Sequence, residues 1–290
     1  MSLFTHLGRL IGTEKERSPE EEAEEDLLAH VIEMTDRRLA GLASCREELM
    51  PAIQLARLYY SEVLGSIPGP FELDSKQPPL PEIFPQQEDL MVCLGRSLAV
   101  KNELSHHIKR GRDRVYALLG VRRKTTPDGK YLLVDHTVRS LRRSAGAVRR
   151  ALRDAAFDSL LQGFANQHLH YEKKLEQVRS QQELLQEARI ASTHAAQAVS
   201  SLASAQQVAS NPEKVLASLV DCLFAPRERL YMHYEEGHPL HMGNDKENNL
   251  LPMMITYDRR HWLVCIVGFP IAMAQEALEK EAHNHRFILI

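Results

Sequence analysis

Fourteen histidines are the first residues to examine for chemistry. The densest group is His233, His238 and His241, with Glu235 and Glu236 between them and His261 further along. Zinc needs three or four convergent nitrogen, sulfur or oxygen ligands. His238 and His241 are three apart, but Pro239 between them disfavours a helical ligand pair. The segment is therefore read as a polar loop, and no metal or cofactor is expected. His106-His107 and His283/His285 read as exposed helix-end residues.

Nucleophilic chemistry finds no better footing. The chain has no GxSxG elbow, and none of its four cysteines sits beside a histidine in a basic setting. No Walker A or GxGxxG loop is present to cradle phosphates. Paired carboxylates occur, but no pattern forms a cleft around them. No catalytic residue is assigned, and the expectation is a non-enzymatic protein.

The remaining chemistry is charge. The formal net charge of -3 averages two opposite regions. Residues 14–50 carry twelve acids and five bases, and residues 101–155 carry fifteen bases and five acids. Dense Lys and Arg attract phosphate backbones. The candidate polyanion contacts are Arg122, Arg123, Lys124, Arg142, Arg143, Arg149 and Arg150. Two plainer readings stand beside this one: a solvated helix face, or pairing with the acidic first helix. Only Tyr116 and Tyr131 interleave with the bases, which argues against stacking on single strands. No zinc-finger, RNP or helix-turn-helix signature supports base reading.

Which elements carry these residues follows from periodicity. Ser18-Pro19-Glu20-Glu21 is an N-cap, a proline at the first helical position and a capping box. A four-three stripe runs from Leu28 to Val63, with a kink or helix junction expected near Met50 because Pro51 interrupts it. Residues 67–85 hold six prolines and read as an extended link. A helix is expected over 87–108, ended by Gly111, and Pro127-Asp128-Gly129 turns a hairpin over 115–136. About fifty residues from Val138 follow without proline and with heptad-like spacing, which predicts a long helix. Residues 191–210 form an Ala/Ser/Gln tract, read as close-packed helix or as linker. Asn211-Pro212 starts another helix, running to Phe224. Strands are expected at 229–234, 250–257 and 261–269, the last two forming a hairpin across Tyr257-Asp258-Arg259-Arg260. A helix over 271–282 and a strand over 286–290 close the chain.

The resulting expectation is a mostly α chain with a C-terminal α+β module and a long helical hairpin or coiled-coil arm. The segments are 1–66, an acidic helical part; 67–86, a Pro-rich link; 87–137, a helix with a β-hairpin; 138–210, the arm; and 211–290, the small α+β domain. Hydrophobic residues at 43% and charged residues at 26% are globular proportions that exclude collagen, a disulfide scaffold and full disorder. Four well-spaced cysteines suit free thiols in a reducing compartment, and no run reaches the ~18 apolar residues of a membrane span. Residues 1–12 lack a basic n-region and a cleavage site, and read as a frayed or docked end rather than a signal peptide. The expected location is cytoplasmic. The expected role is a non-catalytic interaction or scaffold protein, with a protein partner or a second copy bound through the long helix. The alternative is a nucleic-acid-associated protein using the basic 109–153 segment.

Overall fold

The computed structural model describes residues 18–75, 78–128, 131–187, 211–233, 253–256 and 261–286. In chain order the elements are α1 (Pro19–Met34), α2 (Cys45–Gly65), β1 (Phe71–Glu72), α3 (Leu80–Ile83), α4 (Gln87–Arg96), α5 (Leu98–Lys109), β2 (Arg114–Thr125), β3 (Tyr131–Arg142), α6 (Ala145–Glu187), α7 (Pro212–Phe224), β4 (Leu230–His233), β5 (Met253–Thr256), β6 (His261–Pro270) and α8 (Ile271–Arg286). Short 3₁₀ turns occupy Arg37–Gly41 and Pro226–Glu228. Two compact units divide the chain: Met1–Leu55 with Leu161–Phe224, and Ala56–Leu160 with Ala225–Ile290.

The described part of the first unit is helical. The Ser18 hydroxyl accepts from the Glu21 amide while the Glu21 carboxylate accepts from the Ser18 amide, so two orphan donors of α1 are satisfied. The stripe read from Leu28 to Val63 breaks over residues 35–44, through the 3₁₀ turn, and not near Met50. Pro51 lies inside α2, where its missing N–H leaves one helical carbonyl without its usual bond. Asn211 caps α7, its side-chain oxygen accepting from the Glu213 amide at 2.9 Å. Val31, Leu39, Leu49, Ile53, Leu161, Phe164, Leu216 and Leu219 are among this unit's buried side chains.

The second unit is organised by one sheet in the order β3-β2-β6-β5-β4. β2 lies antiparallel to β6 along nearly its whole length, from Arg114↔Pro270 to Arg122↔Trp262. β6's other edge is shared. β5 takes its start, Met253 to Ile255 opposite Leu263 to His261, and the short parallel β1 takes its end, Phe71↔Val267 and Glu72↔Gly268. Flanked on both edges and covered on both faces, β6 is buried from Leu263 to Phe269, the pattern of a central strand. Val115, Ala117, Leu119 and Val121 of β2 join Leu263, Cys265, Val267 and Phe269 of β6 on one face. There they pack with α4, α5 and α8 in the main core.

This arrangement overturns the expected fold class. The predicted C-terminal α+β module is not self-contained, because β6 is hydrogen-bonded to β2, more than a hundred residues earlier in the chain. Nor do the described residues form a coiled-coil arm or a long helical hairpin. α6 has 43 residues, but it is a single helix. Its opening stripe is absorbed by packing: Val148, Phe157 and Leu160 are buried in the second unit, and Leu161 and Phe164 in the first. Four-three spacing describes any helix face buried against a core as well as it describes a coiled-coil seam. The remaining helices have at most 21 residues. Residues 1–12, the 191–210 tract, the 257–260 link and the strand expected beyond Arg286 lie outside the described residues.

Candidate polyanion-binding face

The site begins at a break in a helix. The sequence reads 87–108 as one helix, but Ser97 is extended, with φ -62° and ψ 122°, and separates α4 from α5. Its hydroxyl accepts from the Val100 amide at 3.2 Å, capping α5, and donates to the Val138 carbonyl at 2.9 Å. Val138 belongs to β3, the terminal strand of the sheet order. In the last turn of α5, buried His107 reaches the Leu141 carbonyl at 3.4 Å through Nε2. A carbonyl only accepts, so Nε2 carries the proton. Burial holds this imidazole below its ordinary value of 6.5. The free edge of β3 is therefore closed by side chains from α5, which is one way sheets protect an edge from further pairing.

These contacts fix where the charges fall. Lys109 ends α5, Arg110 is its cap, and Arg112 precedes β2, all directly after His107. Arg143 follows the end of β3, two residues beyond Leu141. All four thus lie within five residues along the chain of His107 or Leu141, whose contact joins the two segments. All four are exposed, and none has an acidic partner within ion-pair distance among the described residues. The neighbouring Arg142 differs: it pairs with Glu103 of α5 and donates to the Leu141 carbonyl. A cation at a helix C-terminus favourably meets the dipole, which explains Lys109. It does not explain Arg112 and Arg143, which lie outside the helix.

Several other bases of the region are committed, although Lys101, Lys124, Arg139 and Arg150 are also exposed without an ion pair among the described residues. Arg114 pairs with Asp74 at 3.0 Å and with Glu72, and the Asp74 bond is the largest reason its proton is held more tightly. Arg122 pairs with Asp135 at 2.8 Å and lies over the Trp262 ring. Arg153 meets Asp154 at 2.9 Å, and Arg57 meets the same carboxylate at 3.4 Å. Arg149 donates to the carbonyls of Ile67 and Gly69 at 2.8 and 3.1 Å, tying α6 to the link before β1, and its buried Nε has no partner.

The seven sequence candidates are therefore dispersed. Arg143 lies in the exposed cluster and Arg142 beside it. Arg122, Arg123 and Lys124 are near the hairpin turn, eight or more residues along β2 from Arg114, or roughly 26 Å at a strand rise of ~3.3 Å per residue. Arg149 serves the fold, and Arg150 is exposed on α6. The acids of α1 that make ion pairs to described bases use Arg37, at 3.1 Å from Glu33, and Arg46, at 2.9 Å from Glu24.

Other chemistry is sparse among the described residues. No group of three or more His, Cys, Asp or Glu could hold a metal there. His233 and His261 are exposed strand-end residues, while Glu235, Glu236, His238 and His241 lie outside the described residues. The four cysteines are free thiols, and burial pushes Cys93 and Cys265 up to about 12, far from the thiolate that attack requires. No described helix is long and apolar enough to cross a membrane. No family model matches the chain, and neither a curated protein nor a solved structure does.

Proposed function

We propose that this chain is a non-catalytic binding protein that docks the phosphate backbone of a nucleic-acid duplex on the face formed by the end of α5 and the end of β3. The observation that carries the reading is the contrast in charge commitment. Arg57, Arg114, Arg122, Arg142 and Arg153 are neutralised by nearby carboxylates, whereas Lys109, Arg110, Arg112 and Arg143 cluster without one. Cations without a carboxylate partner lose little on meeting phosphate. With no aromatic side chain among the four, backbone contact is favoured over base stacking.

The protein-partner reading attached to the long helix rests on the heptad-like run over 138–190, of which residues 188–190 and the side chains of 168–187 lie outside the described residues. A cytoplasmic location agrees with the four free thiols.

Fluorescence anisotropy with a labelled duplex tests the proposal. The intact chain is expected to bind at low salt. The double substitution Arg112→Glu, Arg143→Glu should remove binding, and Arg122→Glu, at the far end of the hairpin, should leave most of it. Equal loss from both variants, or no binding by the unaltered chain, would contradict the assignment to this face.

A further inference from the structure

A cleft of about 440 Å³ lies next to the basic face, within the second unit. Its walls come from three segments: Cys93 and Arg96 at the end of α4, the first turns of α5 from Ser97 to Glu103, and His136 to Arg139 on β3. The helix break at Ser97 falls on its wall, between Arg96 and Asn102. Its volume falls in the ~300–1,000 Å³ range of small-ligand sites.

The polar groups on its walls divide into spent and unspent. The Ser97 hydroxyl has both bonds made. Glu103 is held by Arg142, so its charge is answered. His136 donates from Nε2 to the Ile83 carbonyl at 2.9 Å and is tilted against the Phe84 ring, leaving Nδ1 as an acceptor when neutral. Arg96 uses Nε on Glu281 at 3.1 Å, yet its side chain is 69% exposed, which leaves its terminal nitrogens available. The side chains of Asn102, Thr137 and Arg139 have no hydrogen-bonding partner among the described residues. The unspent inventory is thus two guanidinium groups, one amide and one hydroxyl, with Leu98, itself 72% exposed, on the wall beside them.

That inventory selects a ligand class. Two guanidinium forks complement a phosphate or carboxylate, while an amide and a hydroxyl suit hydroxyls on the ligand's body. The space exceeds a bare phosphate and lacks the aromatic walls of a flat apolar ligand. We infer that this cleft binds a small phosphorylated, hydroxyl-bearing molecule, its phosphate between Arg96 and Arg139 and its body along Asn102 and Thr137. The inference is independent of duplex docking, which uses different cations.

Calorimetric titration of the full chain with inorganic phosphate and with a phosphorylated pentose tests it. The sugar phosphate should bind more tightly than phosphate alone. Arg139→Ala, an exposed position that leaves the fold's contacts intact, should weaken it at least ~10-fold, since a charge-assisted bond is worth ~1.5–3 kcal/mol. Leu98→Trp, a larger side chain on the cleft wall, should fill part of the space and weaken it by a second route. Arg112→Glu with Arg143→Glu should leave this binding within about twofold while abolishing duplex binding. Absence of sugar-phosphate binding to the unaltered chain, or binding indifferent to both Arg139→Ala and Leu98→Trp, would overturn the cleft even if duplex binding holds. Loss of duplex binding alone would overturn the other reading and leave this one standing.

Discussion

Ser97 concentrates several roles in one hydroxyl. It caps α5, occupies an edge carbonyl of β3 and shapes the cleft. Removing both bonds by Ser97→Ala should cost about 1–3 kcal/mol, read as a lower urea midpoint with an unchanged slope. Its neighbour Gly95 sets how closely α4 approaches α8. A Cβ there would stand 2.6 Å from the Ala277 carbonyl oxygen, a backbone atom that cannot swing aside. Gly95→Ala should therefore destabilise by about 1–3 kcal/mol through overpacking, despite alanine's better helix propensity; a gain in stability would contradict the packing. His107 gives a pH dependence. Its folded value is lowered, chiefly by burial, so its contribution is present above its unfolded value near 6.5 and is lost as pH falls through the lower folded value. Thermal midpoints measured downward from pH 7 should fall more steeply for the unaltered chain than for His107→Asn.

At the scale of elements, β3 departs most from a regular strand. Its pairing with β2 slips by one residue between Tyr116 and Leu118 and again between Gly120 and Arg122. Each slip falls at a residue with positive φ, Ser140 at 56° and Asp135 at 54°. These are β-bulges, which bend an edge strand and resist further pairing. Asp135 tolerates the left-handed region and uses its carboxylate on Arg122. Ser140 has less reason to be there, so Ser140→Gly should raise stability by up to ~1 kcal/mol, measured by equilibrium denaturation. The hairpin was legible through Pro127-Asp128 and the flanking apolar runs, but its bulges were not, because an inserted residue breaks the alternation that reveals a strand. The α4–α5 break was signalled: Gly95 and Ser97 are a helix-stop and a helix-start residue two apart. The apolar stripe of Leu90, Leu94 and Leu98 outweighed them, although Leu98 proves largely exposed.

The second unit is held by pairings that local patterns do not contain. Nothing near Arg114–Thr125 indicates that its partner strand begins at His261, and that pairing removes the distinction between a helical body and a terminal module. The charge polarity was legible, but its meaning was not. Among the fifteen bases of one segment, the committed cations separate from the exposed ones only when the acids Glu72, Asp74, Glu103, Asp135 and Asp154 are placed beside them. The central claim is that this cluster meets phosphate. The most direct measurement is the salt dependence of duplex binding for the unaltered chain and for Arg112→Glu with Arg143→Glu. About four phosphate contacts should give log K against log salt a slope near -3.6, and the variant should lose binding at every salt concentration. A slope near zero, or an undiminished slope and affinity in the variant, would contradict the claim.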